Sequence, residues 1–197
     1  MPELAYNAAM ANGPYLTGQL LVAMPAMADS RFERSVTYLC QHDADGALGL
    51  VVNRPSGMRL GDVLEELGLG GHDRATGDRP VLSGGPVHPE RGFVLHGGDG
   101  RAWDSSLEIG DGLVLTTSRD ILAAVADGSL AGPWLFALGY AGWSAGQLEQ
   151  ELLANAWLTV PSRADLLFEM PLAERWQAAA RQLGVDPGRL TGYAGHA

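Results

Sequence analysis

The sequence predicts an α/β protein of mixed α+β character, a compact mixed β-sheet with hairpins flanked by about four helices. Three observations carry that expectation. Apolar, β-branched runs meet at short polar turns in the first half, the mark of hairpins. Four stretches place apolar residues at helical spacing. Finally, Trp134 to Leu138 is continuously apolar, as in a strand covered on both faces.

Leu20 to Met24 is a short apolar run ended by Pro25. Ser35 to His42 and Ala47 to Asn53 flank Asp43-Ala44-Asp45-Gly46, a hairpin with a four-residue loop, and Pro55-Ser56-Gly57 breaks its second strand. Leu60, Val63, Leu64 and Leu67 follow the i, i+3, i+4, i+7 rule, and Gly68 stops that helix. Residues 68–79 have no period and read as a surface loop. Val81-Leu82 leads into the turn Ser83-Gly84-Gly85-Pro86, and Phe93 to His96 is a short strand. Leu107 to Ile109 and Leu113 to Thr117 flank Gly110-Asp111-Gly112, a second hairpin. Ser118 is placed to cap a helix that uses Ile121, Leu122 and Val125 and ends at Gly128. A further helix starts near Ala145, apolar runs follow at 157–160 and 166–168, and a last helix spans Leu172 to Leu183. Residues 1–15 read as a loose tail and 16–197 as a single domain.

Composition excludes some functions. Hydrophobic residues make up 46%, enough for a sizeable core. The formal net charge is −10, spread evenly: 7 Arg against 12 acids in residues 1–100, 6 Arg against 11 acids in the remainder. No Arg cluster is present, so binding to a phosphate backbone is disfavoured. Cys40 is the single cysteine and has no disulfide partner in the chain. The N-terminus lacks the basic and apolar regions of a signal peptide, and no apolar run approaches a bilayer span. The expectation is a cytoplasmic protein that binds a protein or a small molecule, with no membrane and no nucleic acid among its partners.

The strongest chemical motif is Gly142-Trp143-Ser144-Ala145-Gly146, a literal G-x-S-x-G between a strand and a helix. A nucleophile elbow needs that geometry to project a serine hydroxyl. The order Ser144, then Asp165 or Asp186, then His196 even matches a hydrolase triad. The competing reading is a capping box: Ser144-Ala145-Gly146-Gln147 fits S-x-x-Q, with the serine oxygen on a backbone N–H and Gln147 reaching back. That reading is preferred, since His196 is the penultimate residue and no oxyanion loop is recognisable.

Cys40 and His42 lie two apart on one strand and form a second candidate pair, against which stands a plain buried cysteine. The histidines at 42, 72, 88, 96 and 196 show no metal-binding spacing, so neither a metal nor a cofactor is expected. Ser83-Gly84-Gly85-Pro86 could cradle an anion but reads better as a turn. Glu149 and Glu151 point to opposite sides of a helix and read as solvated. Arg31, Arg34, Arg54 and Arg91 sit near strand ends, and the sequence leaves open whether they gather around a pocket. With no complete constellation, the sequence leans away from an enzyme.

Three blocks together resemble the YqgE/AlgH family of bacterial proteins. The first runs from Leu16-Thr17-Gly18-Gln19-Leu20-Leu21-Val22-Ala23-Met24-Pro25 to Gly49-Leu50-Val51-Val52-Asn53-Arg54-Pro55. The second is Ser83-Gly84-Gly85-Pro86-Val87 with Arg91 to His96, and the third is Gly139 to Glu151, continued to Asn155 and Trp157-Leu158. The resemblance implies a cytoplasmic bacterial protein with an α/β fold on a mixed sheet, and no known reaction. Some family members are labelled regulators of transcription. Glycine is common in the family where Ser144 stands, so no catalytic residue carries over. The function expected is an unassigned one, exerted by binding, with an indirect regulatory role. The alternatives are a small serine hydrolase using Ser144 and a direct transcriptional regulator.

Overall fold

The computed structural model describes residues 15–25, 27 and 29–184. In chain order the first strands are β1 (Gln19–Ala23), β2 (Val36–Asp43), β3 (Gly46–Val51), β4 (Pro55–Arg59) and β5 (Pro80–Ser83). They are followed by β6 (Val87–Gly97), β7 (Ser106–Gly110), β8 (Leu113–Thr116), β9 (Trp134–Ser144) and β10 (Trp157–Pro161). The α-helices are α1 (Leu60–Glu66), α2 (Arg74–Gly77), α3 (Arg119–Ala126), α4 (Gln147–Leu153) and α5 (Arg175–Arg181). Among the described residues, no helix is long and apolar enough to cross a membrane.

The chain divides into two compact units, one from Arg54 to Tyr140, the other from the segments before and after it. In the discontinuous unit the antiparallel order is β10-β1-β2-β3, continued by the last residues of β9, where Gly46 pairs with Ser144 and Gly49 with Ala141. The expected hairpin β2–β3 is present, with strands that run further into the turn than the sequence suggested. Asp43 pairs with Gly46, and the Asp43 carboxylate accepts the Asp45 N–H at 2.9 Å, the local bond that makes Asp a turn residue. One aromatic-rich core of this unit gathers Leu21, Ala23, Leu39, Ala141, Trp143, Leu148 and Trp157. Each fully buried leucine of such a core contributes about 1.5–3 kcal/mol relative to exposure.

In the unit 54–140, β6 pairs antiparallel with β9 and β8, β8 with β7, and β4 with β5. β5 runs parallel to β9, which makes the pairing mixed. The core collects Leu60, Val63 and Leu64 of α1, Ile121 and Val125 of α3, and Val81, Val94, Trp134 and Phe136 of the strands. The periodicities therefore place Leu60, Val63 and Leu64 of α1 and Ile121 and Val125 of α3 correctly, while Leu122 is only partly buried and Leu67, the last residue of the α1 stripe, is exposed. Gly139 is required here: its φ is +72°, and an added Cβ would lie 2.4 Å from the Gly85 carbonyl oxygen.

Four local readings change. Pro55-Ser56-Gly57 does end β3, but it opens β4, an exposed strand. The expected loop 68–79 contains α2, one turn capped by Asp73, whose carboxylate accepts the Thr76 N–H at 2.7 Å. Leu166–Phe168 lies in a π-helical turn, Asp165–Glu169. The last helix starts with a 3-10 turn, Leu172–Glu174, before α5, and it buries Arg175 beside Trp176, Ala179 and Ala180. Of the expected tail, residues 1–14 lie outside the described residues, as do Asp186 and His196.

Candidate functional site

Ser144 stands where β9 ends, paired with Gly46, and a two-residue turn leads from it into α4. The helix α4 is capped by Gly146 in the left-handed conformation, φ 73°, with no side-chain cap. Half of the expected capping box survives. Gln147 Oε1 accepts the Ser144 N–H at 3.1 Å, but the Ser144 hydroxyl donates to that same oxygen at 3.2 Å and caps nothing. The ladder with β3 holds the Ser144 backbone extended, so its side chain cannot reach over the helix start.

Gln147 Nε2 donates in turn to Glu151 Oε1 at 2.9 Å. The other oxygen, Glu151 Oε2, accepts the indole N–H groups of Trp143 and Trp157 at 2.9 and 2.7 Å. The two indoles stand edge to face, 5.9 Å between ring centres, with Phe32 against both. Glu151 is therefore not a solvated acid: it supplies the acceptor that two buried indoles need. Trp143 and Trp157, two tryptophans within eight residues of Glu151, were the signal available in the sequence.

Glu149 is also engaged. Its Oε1 lies 3.0 Å from His42 Nε2. His42 Nδ1 receives the Leu16 backbone N–H at 3.0 Å. A backbone N–H can only donate, so Nδ1 is the unprotonated nitrogen and Nε2–H donates to Glu149. Both ring nitrogens are thus committed and the side chain is 1% exposed, which leaves His42 no free nitrogen for a substrate proton. Thr17 Oγ1 accepts the His42 N–H at 2.9 Å and Tyr15 meets the ring edge-on, so His42 fastens the chain entering β1.

Cys40 sits at a bulge between Leu39 and Gln41, its Sγ directed to the Tyr38 carbonyl at 3.7 Å. Burial pushes its thiol well above the ordinary range, which keeps it protonated and unreactive. The Cys40–His42 pair is held apart in function: each has its own partner, and neither activates the other. Arg175 is buried as well, donating to the Val52 and Met170 carbonyls at 2.6 and 3.0 Å, and burial lowers its pKa to about 10.

The remaining candidates are structural too. In Ser83-Gly84-Gly85-Pro86 the Ser83 and Gly84 N–H groups go to the Arg54 and Leu138 carbonyls, both at 2.8 Å, so no anion cradle forms. His96 is buried between the Gly97 carbonyl and Thr116 Oγ1, both at 2.9 Å. His88 pairs with Glu90 at 3.1 Å, and the His72 ring packs against Gly61 and Gly77. Among the described residues, no three His, Cys, Asp or Glu side chains are placed to hold a metal. Arg31 pairs with Asp29 and Arg34 lies over Trp176, while in the unit 54–140 Arg91 lies over Phe93. No local pattern singles out Arg119, yet it is the arginine that lines a cleft.

That cleft lies within the unit 54–140 and encloses about 430 Å³. Its floor is Gly92 of β6 with Phe136 and Leu138 of β9. Its walls are Met58 of β4, Val63 and Leu67 at the α1 end, and Leu122 of α3; Glu66, Glu90, Thr117 and Arg119 add the polar groups. Gly92 keeps the floor open, since an added Cβ would sit 2.9 Å from the Phe136 ring. Arg119 Nη2 donates to the Leu67 carbonyl at 2.6 Å, closing the last turn of α1 against the start of α3. Met58 is 40% and Leu67 36% exposed, although both are large and apolar.

Comparison with known proteins decides the family. The model described as DUF179, AlgH-like, matches residues 20–188. This chain belongs to the AlgH-like family. A UPF0301 protein of Xanthomonas campestris pv. campestris is 59% identical over 182 residues, 92% of this chain and 96% of the relative. A UPF0301 protein of Xanthomonas euvesicatoria pv. vesicatoria is 58% identical over the same shares. The solution structure of the AlgH protein from Pseudomonas aeruginosa is similar at TM-score 0.76 and 49% identity, covering 93% of this chain and 97% of that one. A crystal structure of a Corynebacterium diphtheriae protein shares the fold at TM-score 0.71 with 21% identity, over 95% and 97% of the two chains. The AlgH-like family carries no assigned reaction, and the mixed α/β fold is the one its sequence signature implies.

Proposed function

We propose that this AlgH-like protein acts by binding, and that the cleft between α1, α3, β4 and the β6–β9 floor is its binding site. One observation carries the reading. Two large apolar side chains left substantially exposed, Met58 and Leu67, wall the same 430 Å³ cleft. Ligand sites are typically concave, mostly apolar and of roughly 300–1,000 Å³, with a few polar groups to orient the guest. What speaks for binding over hydrolysis is that the reactive-looking groups Ser144, Cys40 and His42 are each held by an internal partner. A net charge of −10 speaks against direct contact with DNA, so a regulatory role would be indirect and exerted in the cytoplasm.

The test is a nuclear magnetic resonance screen of the isotope-labelled protein with small neutral apolar fragments such as indole and toluene. Binding at the cleft shifts the backbone amides of Leu67, Gly92 and Leu122 together. Shifts confined to other residues, or none at millimolar fragment, would remove the proposal.

A further inference from the structure

Among the described residues two histidines are buried, His42 and His96, and they differ in what a second ring proton would meet. The Gly97 carbonyl can only accept, so His96 carries its proton on Nδ1 and receives the Thr116 hydroxyl on Nε2 at 2.9 Å. The Ser106 hydroxyl then donates to Thr116 Oγ1 at 2.8 Å. A second proton on His96 is accommodated by turning these two hydroxyls, the outer one on an exposed residue. At His42 nothing can turn. Its Nδ1 faces the Leu16 backbone N–H at 3.0 Å, a group that never accepts. A proton on Nδ1 would set two N–H groups pointing at each other, so that proton and the Leu16 bond exclude one another.

Among the described residues, the titratable groups facing His42 are Glu149 of α4, Tyr15 ahead of β1 and Asp43 beside it on β2. Ala47 of β3, its cross-strand partner, carries no charge. Asp43 is taken up by the Gln41 amide and the Asp45 N–H, and Tyr15 meets the ring only edge-on. Glu149, at 3.0 Å from Nε2, gains a full ion pair when the ring is charged. Of the two ring bonds, a second proton therefore strengthens the one to α4 and reverses the one to Leu16. The bonds from the His42 N–H to Thr17 Oγ1 and from the Gly18 N–H to the Leu39 carbonyl do not involve the ring and survive.

We propose that His42 is an acid-opened latch on the chain entering β1: ring protonation expels the Leu16 N–H and frees Tyr15 and Leu16, while Thr17 and Gly18 stay docked. Leu16 belongs to the core around Leu21, Leu39 and Trp157, so its departure uncovers apolar surface in that unit. Opening takes up one proton. It is therefore favoured as pH falls, by at most about tenfold per pH unit, over the imidazole range of roughly pH 7 to 5.

Amide hydrogen exchange and imidazole nitrogen shifts of the isotope-labelled full chain, at about pH 7.5 and about pH 5, test this. At the higher pH the His42 proton should sit on Nε2. At the lower pH both nitrogens should carry one, and the Leu16 protection factor should fall at least about tenfold relative to that of Gly18. The Gly97 and Thr116 amides beside His96 should keep theirs. His42→Asn puts an oxygen near the place of Nδ1 and cannot take the proton, so Leu16 should stay protected at both pH values. The wild-type measurements decide by themselves should that variant not fold. A doubly protonated His42 with Leu16 still protected overturns the proposal, as does a ring that stays neutral at about pH 5. Equal loss of Leu16 protection in His42→Asn overturns it too, since acid would then be acting through another group such as Asp43 or Glu149.

Discussion

The two units treat their polar side chains differently. In the discontinuous unit, groups that look chemical are built into the scaffold. Glu151 holds two indoles, His42 spans Leu16 and Glu149, and Arg175 ties Val52 to Met170. In the unit 54–140, His96 is likewise satisfied, but a cleft keeps Met58 and Leu67 in contact with solvent and two carboxylates at its mouth. A nucleophile-like motif marks the first unit and nothing conspicuous marks the second. Function is better sought where apolar surface is left uncovered than where reactive residue types are concentrated, because uncovered apolar surface costs stability and polar bonding inside a core adds to it.

The comparison can be broken most forcefully at Glu151. Glu151→Ala leaves two indole donors without an acceptor and should cost about 2–4 kcal/mol, read from the urea midpoint followed by circular dichroism. A cost below about 1 kcal/mol would mean the network contributes little. His42→Ala should cost about 2–3 kcal/mol, through lost packing and an orphaned Leu16 N–H. Glu149→Gln should cost less than about 1 kcal/mol, because that side chain is 36% exposed. The reverse order would place the stabilisation in the ion pair and not in the buried ring. Leu67→Ser in the cleft should change stability by no more than about 0.5 kcal/mol, in contrast to all the buried sites.

The reactivity of the two nucleophile candidates sharpens the same contrast. Burial holds the Cys40 thiol protonated at pH 8, so a maleimide should leave the native chain unmodified and label it fully in concentrated urea. Rapid labelling of the native chain would contradict the buried placement. A fluorophosphonate probe should leave Ser144 unlabelled, its hydroxyl being bonded to Gln147 with no histidine on it among the described residues.

Much of this architecture could be read from the chain. The hairpins announce themselves through turn residues between β-branched runs, and α1 and α3 through their spacing, because those signals are local. The stretch Gly139 to Ser144 misleads for a physical reason. Its glycines resemble a turn, yet pairing with β3 extends β9 through them, a tertiary choice that local preference does not record. The roles of Glu149 and Glu151 escape for a similar reason: opposite sides of a helix can each meet a wall. The cleft is the least legible feature. Its lining comes from five elements far apart in the chain, and Leu67 occupies a core position in the helical pattern yet ends at the surface.

One further feature bears on how copies of this molecule coexist at high concentration. β4 is exposed over its whole length and, among the described residues, pairs only with β5. Such a border invites a strand from a neighbouring molecule, the first step toward aggregation. Three properties oppose it. Pro55 offers no N–H, the register with β5 breaks between Pro55 and Arg59, and Arg59 carries a charge held beside Asp62 and Asp78. The strand that carries the exposed Met58 thus also carries the features that deny it a role as a template for self-assembly.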